Sequence, residues 1–551
     1  MKVKEKEIKE DINKNETENI NLEKNIYKNT IIEKLLLIFI VLSPVFDIAS
    51  FLFRNYFDTK ISISTFIRPI IPIIALVYIF FNAKKEKRKK YLIIALTYIL
   101  YGIIHLLVSK NLFNKASDGT IKTEMQYIFN FTFLVIYLII YVETFTTKNE
   151  KDFLRINIGK LSNAITIMCS IYLISIIFSI ITHTSSYTYI ETSTGYKGYI
   201  ESGNSLSTIL VLSLFIILPN INIEKFKKSN HNKKDIVIES LKIIVAIVNI
   251  IYLITTIGTR TGLLGAFLAI ICFIIIEMAF SKNKKVLFMG GAFILIGLIL
   301  VIAFGSNTIK RRAQMKESAL TIIDEQTNQV GNMTGDMLKI KDKILNNTLE
   351  ENFLTEAQRK STIELYEYAK SHNIKGNDTR RQQLIYNIFL VKNQKNPLTI
   401  LFGNGYKANF REMVLENEFA SLILNFGIFG FILYVMPIVY ILLKYIKKTV
   451  KNIINLKELE KNDSDVSEYK KTIKKSIMYE LSVLLSLVLS FMSGYVLFAT
   501  SSMLIIDVLL TLIIMEYTYS LLTLKNSNGT INLQAGGGKE KIKNVKEKSF
   551  K

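Results

Sequence analysis

The chain has 551 residues, half of them hydrophobic, and 69 Lys and Arg against 46 Asp and Glu give a formal net charge of +23. In a soluble protein that excess would point to nucleic acid. Here the apolar residues come in runs of about 20, the length that crosses a hydrocarbon core, and the lysines fall in alternate short loops, so the charge reports membrane orientation and no nucleic-acid partner is expected.

In chain order, the charged stretch 1–32 lacks the short apolar core and cleavage site of a signal peptide, which makes it a cytoplasmic tail ahead of a retained first span. Apolar runs predict twelve spans, near 33–53, 61–82, 91–108, 126–146, 161–182, 204–220, 237–257, 262–280, 286–305, 418–443, 476–499 and 502–524. The segments "NAKKEKRKK" (82–90), "EKFKKSNHNKK" (224–234), "SKNKK" (281–285) and "KYIKKTVK" (444–451) are basic, whereas 183–204 and 499–502 carry few or no lysines. This alternation predicts that both termini lie in the cytoplasm. The fold class expected is an all-α polytopic membrane protein: transmembrane helices over 33–305 and 418–524, one large helical outer loop over 306–417, and a basic tail over 525–551.

Cys169 and Cys272 both fall within spans, so neither a disulfide framework nor a thiolate metal site is indicated. His105, His183, His231 and His372 are scattered without ligand spacing. No phosphate-binding loop, dinucleotide fingerprint, nucleophile elbow or internal repeat is present, and neither metal nor cofactor is expected.

Chemistry must then come from polar groups at the membrane surface. Asp47, Arg68 and Asp507 sit inside apolar spans, and intramembrane charges either pair to fix helix packing or mark a substrate path. Arg260, in "LITTIGTRTGLLGAF" (253–267), stands in a tight turn between spans seven and eight. An Arg in hydrocarbon costs about 2.5–3.5 kcal/mol by insertion scales. Its planar fork of donors matches phosphate oxygens, so it suits a lipid-linked phosphate or diphosphate; the bland alternative is snorkelling to ordinary headgroups. Further along, "GNDTRRQQL" (376–384) brings Arg380 and Arg381, Gly403 and Gly405 make a turn, and Glu416, Asn417 and Glu418 stand at the mouth of span ten. A carboxylate facing arginines there is the arrangement of a general base beside an anionic leaving group, although acidic residues at a helix start also simply favour the dipole.

Taken together these residues resemble the O-antigen ligase and polymerase superfamily of membrane glycosyltransferases. The local matches are "GTRTGLLG" (258–265), "TRRQQL" with "LFGNGY" (401–406), "ENEFASLILNFGIFGFILY" (416–434), "IESGNSLSTIL" (200–210) and "SGYVLFATSS" (493–502). Glu416 stands where ligases carry a His, and Tyr495 replaces another, which resembles the Gram-positive polymerase-like branch and disfavours transfer to lipid A. The resemblance implies a GT-C-like enzyme that polymerises or ligates polyprenyl-diphosphate-linked oligosaccharides on the outer face of the plasma membrane. Its partners would be a glycan donor, a glycan acceptor, membrane lipids, and flippase and chain-length regulator proteins. It implies Glu416, Arg260 and Arg380 as catalytic residues, and Arg381, Arg68, Asn204, Asn417, Glu418, Gly403 and Gly405 as substrate-binding ones. The rival readings are a flippase or other multi-pass transporter, disfavoured by the missing repeat symmetry, and a non-catalytic envelope scaffold, which leaves Arg260 unexplained.

Overall fold

The computed structural model describes all residues except 1–30, 56–62, 111–120, 149, 191, 227–232, 281–283, 315–340, 349–353, 373, 375–378, 407–414, 462–465, 493, 495 and 528–551. Most of both tails, the centre of the 306–417 loop, His231 and Tyr495 therefore lie outside the described residues. Before the long loop run α1 (Ile31–Asn55), α2 (Ile63–Asn82), α3 (Lys85–Ser109), α4 (Ile121–Phe145) and α5 (Lys151–Ile181). After these come β1 (Ser186–Tyr189), β2 (Thr194–Gly198), α6 (Gly203–Ile217), α7 (Lys233–Ile251), α8 (Arg260–Phe280) and α9 (Lys284–Gly305). The loop contributes α10 (Glu356–Ser371), α11 (Thr379–Gln394) and the short α12 (Leu398–Phe402). The chain then forms α13 (Glu418–Asn425), α14 (Gly427–Lys461), α15 (Ser467–Met492) and α16 (Thr500–Ser527).

Among the described residues nine helices are long and apolar enough to cross a membrane, and each of the twelve apolar runs is helical over most of its length. The all-α expectation stands, with one addition: 183–204 contains an antiparallel hairpin in which Tyr187 faces Tyr196, their ring centroids 5.4 Å apart. Four alternating residues are too short a run to announce a strand. The other difference is at span ten, which starts as the separate helix α13 and restarts at Gly427 with φ of 75°.

The centre of the bundle is built by α6 and α16. Every residue of α6 is buried except Asn204, and α16 packs against α4, α5, α6, α14 and α15. A helix apolar on all sides finds its place inside other helices. Two of the hydroxyls that α6 buries are satisfied within the helix: Ser207 donates to the Gly203 carbonyl and Ser213 to the Ile209 carbonyl, both at 2.7 Å. At the other extreme, α3 leaves Ile93 and Leu96 exposed, as a lipid-facing helix should.

The "LFGNGY" turn is fastened to the bundle from two sides. Asn404 and Gly405 donate their amides to the Leu424 and Asn425 carbonyls at 3.0 and 2.9 Å. Gly403 has φ of 88°, and a Cβ there would stand 2.1 Å from the Asn425 carbonyl oxygen, so glycine is required. On the other side His105, fully buried in α3, sets Nδ1 2.6 Å from the Phe402 carbonyl and Nε2 3.1 Å from Glu124 Oε1. Glu124 also accepts the Tyr406 amide at 3.0 Å. This clamp fixes the end of α12 against α13, and with it the approach of α11 to the membrane helices.

Candidate active site

Arg260 opens α8, and its turn is gripped from three directions. Thr259 accepts the Gly262 amide at 3.0 Å, as an N-cap does, and its hydroxyl lies 2.5 Å from Ser207 of α6. The hairpin presses on the same turn: Gly195 has φ of 70°, and a Cβ there would meet the Ile257 carbonyl oxygen at 2.2 Å. Asn307 and Thr308, just past α9, donate to the Thr256 and Thr259 carbonyls at 2.9 and 3.3 Å. The backbone is thus held while the Arg260 side chain stays exposed, without a hydrogen-bond or ion-pair partner among the described residues. An exposed guanidinium at the positive end of a 21-residue helix has two features that favour an anion.

The hairpin carries Tyr189 into contact with Arg311 and within the electrostatic reach of other charged groups. Arg311 lies over its ring, Cζ 3.1 Å from the centroid. Burial pushes the Tyr189 hydroxyl above its ordinary range, while Arg311, Arg380 and Arg260, in that order, pull it down and Glu416 pushes it up. Three guanidinium groups and one carboxylate therefore act on a single phenol. Arg380 and Glu416 are joined directly, Nε to Oε2 at 3.0 Å, with both side chains more than two-fifths exposed. One turn along α11, Gln383 accepts the Glu416 amide at 3.3 Å, so a single helix face holds that residue by side chain and backbone alike. Gly494 lies behind it, close enough that a Cβ would stand 2.4 Å from the Glu416 carbonyl oxygen.

Tyr189 also forms part of the wall of a cavity of about 780 Å³ that opens between α1, α2, α4, the start of α6 and the start of α16. Deep in it, Arg68 pairs with Asp47 at 2.7 Å and donates to the Ser43 carbonyl at 3.1 Å, to Ser501 at 3.0 Å and to the Thr500 hydroxyl. Asp47 in turn accepts from Ser501 at 2.7 Å and from the Tyr172 hydroxyl. Arg68 is thus a buried, neutralised group in the cavity wall. Asn204, the one residue of α6 that is not buried, faces the same space.

The remaining candidates are placed as follows. Asn417 caps α13, its side-chain oxygen 3.5 Å from the Ala420 amide. Glu418 is fully buried and turned inward, accepting the Val496, Leu497 and Phe498 amides at 2.7, 2.7 and 2.9 Å. Gly403 and Gly405 belong to the clamped turn. Arg381 is exposed and makes no hydrogen bond or ion pair among the described residues. Asp507, unlike Asp47, finds no cation: it is fully buried in α16 with both carboxylate oxygens unpartnered among the described residues. Arg380 and Glu416 are thus paired, Arg260 is linked to them through its electrostatic influence on Tyr189, Arg68 and Asn204 share the cavity that Tyr189 lines, and Glu418 serves the 496–498 backbone. Tyr189 and Arg311 escaped the sequence reading, because nothing local ties a hairpin tyrosine to an arginine more than 120 residues away.

Residues 28–519 match the family of O-antigen ligase like membrane proteins. The chain belongs to that family. The match spans the bundle from the start of α1 into α16, and so takes in every residue of the arginine cluster and the cavity. It supports a membrane enzyme of the O-antigen ligase type, one that ligates or polymerises glycans. No curated protein matches this family member.

Proposed function

We propose that the chain is a glycosyltransferase that lengthens or transfers polyprenyl-diphosphate-linked oligosaccharides at the outer face of the plasma membrane, with 306–417 as its outer domain and both termini in the cytoplasm. The observation that carries this reading is the pair of Arg380 with Glu416 at 3.0 Å, together with Arg311 over the ring of Tyr189, a residue that also lines the cavity of about 780 Å³. In the reaction, an acceptor hydroxyl oxygen attacks the anomeric carbon of the donor sugar and gives its proton to the Glu416 carboxylate. The bond from that carbon to the diphosphate oxygen breaks, and the electron pair leaves with the diphosphate. Arg260 and Arg380 hold the departing group and offset its developing charge. The 3.0 Å pair of Arg380 with Glu416 gives the resting site a built-in order: an arriving diphosphate competes for Arg380, and the carboxylate it releases becomes available as base. Asn417, Arg381 and the clamped turn would shape the approach of the glycan. A flippase and a chain-length regulator would be the neighbouring proteins.

Two measurements test this reading. Arg260→Lys should lose glycan transfer nearly as completely as Arg260→Ala, because a point ammonium does not reproduce a two-point grip on phosphate oxygens; recovery of most transfer by Lys would reduce Arg260 to charge or anchoring. Cysteines placed in 356–371 should react with an impermeant maleimide on intact cells, and cysteines at 83–90 should not. The reverse pattern would put the site on the wrong side of the membrane for this reaction.

A further inference from the structure

Away from the arginines, α14 carries a hollow of about 400 Å³ lined by Met436, Val439, Tyr440, Leu443, Lys444 and Lys447. Their spacing puts all six on one face of the helix, and Met436, Tyr440, Leu443 and both lysines are exposed. The bundle holds that face outward. Lys448 sets its Nζ 4.1 Å from the ring centroid of Tyr517 in α16, and Tyr98 of α3 donates at 2.5 Å to the Leu433 carbonyl, which Pro437 leaves without its helical amide. Lys444 lies over Tyr440, its Nζ 5.6 Å from the centroid, and neither it nor Lys447 has a carboxylate partner among the described residues. No acidic residue occurs in α14 before Glu458, and Glu480 of α15, which accepts from Thr449 at 2.5 Å, is buried with it inside the bundle.

We infer that this hollow is a binding site for one anionic phospholipid, with the headgroup between Lys444 and Lys447 and a stretch of acyl chain against Leu443, Tyr440, Val439 and Met436. The polarity fits: the apolar run of the span ends at Leu443, where the lysines begin, so the hollow straddles the boundary between hydrocarbon and headgroups. The length fits as well. Met436 and Lys447 lie about 16 Å apart along the helix axis, roughly half the ~30 Å of a hydrocarbon core and hence the depth of one leaflet. The charge decides the headgroup. A lysine at the membrane surface strengthens attachment to anionic lipid about fivefold, whereas a zwitterionic headgroup brings its own cation up against the ammonium groups and forfeits that gain. Basic loops attract anionic lipid diffusely, but a concave apolar floor beneath the lysines gives one molecule a place to stay. The inference rests on α14 crossing a membrane and is independent of glycan transfer.

Native mass spectrometry of the full chain in detergent, titrated with phosphatidylglycerol or with phosphatidylcholine, tests this. The first phosphatidylglycerol should bind about tenfold or more tightly than the first phosphatidylcholine, a readily resolved difference. Lys444→Gln combined with Lys447→Gln should weaken phosphatidylglycerol binding by about 25-fold, the share of two lysines. Lys444→Arg combined with Lys447→Arg should keep it, since the charge is retained. Lys89→Gln with Lys90→Gln, in another exposed basic stretch, should leave it unchanged. Each double variant should bind phosphatidylcholine like the unmodified protein, which certifies its fold. The inference is overturned if the two lipids bind alike, if the glutamine pair at 444 and 447 leaves phosphatidylglycerol affinity intact, or if the arginine pair loses it as well. An equal loss from the pair at 89 and 90 also overturns it, since attraction would then follow overall charge and no site on α14.

Discussion

Glu416→Gln should give a protein that folds and binds prenyl diphosphate but transfers glycan about 10²–10⁴ times more slowly, the usual weight of general-base help. The carboxylate is well exposed and nearly isosteric with the amide, whose oxygen still accepts from Arg380, so the fold has little to lose. Diphosphate affinity should hold or rise, since the substitution removes the one negative charge of the cluster and frees Arg380 from a competitor. Product length and turnover by the purified protein in vesicles, with a melting curve beside them, check this. Turnover within a few-fold of the unmodified protein would leave Glu416 as a mere partner of Arg380.

Two residues along, the opposite outcome is expected. Glu418→Ala should cost about 3–5 kcal/mol of stability, because two buried backbone amides and a third, partly buried one lose their common acceptor and each unsatisfied group carries its own desolvation cost. Glu418→Gln should cost less, as one side-chain oxygen still accepts while the new N–H₂ group opposes the third donor. Thermal unfolding in detergent reads the difference directly. A melting temperature unchanged by Glu418→Ala would mean that the 496–498 turn takes its acceptors from elsewhere and that Glu418 is available for another task.

That contrast marks what was legible in the sequence. Glu416 and Glu418 are both acidic residues at a helix mouth, and nothing in "ENEF" says which of them points inward. The spans were readable because hydrophobic length is a local property, and Arg260 because its turn is short. The break at Gly427 was hidden inside a continuous apolar run; its reason is the 401–405 turn packed against it, whose Leu401 carbonyl carbon would lie 2.4 Å from a Cβ at that position. Asp47 and Asp507 carried the same signal in sequence, a lone carboxylate in hydrocarbon. Only the assembled bundle gives one of them an arginine 21 positions away and leaves the other without a partner among the described residues. Tyr189 lay in a stretch legible only as poor in lysine.

The place of α16 at the centre of the bundle, in contact with α4, α5 and α6, has a consequence for how the protein is made. The residue that receives one of Arg68's hydrogen bonds, Thr500, is synthesised 432 positions later. At about 5–20 residues per second of elongation, the early spans wait on the order of 20–90 s in the bilayer with the central slot open. Asp47 and Ser43 both precede Arg68, so the ion pair and the Ser43 carbonyl are available to shield the arginine throughout that interval, while Thr500 and Ser501 complete its coordination only when the last span arrives. A ribosome that stops short of α16 would leave a half-built bundle with a polar seam facing lipid, a form that membrane quality control is equipped to recognise and remove.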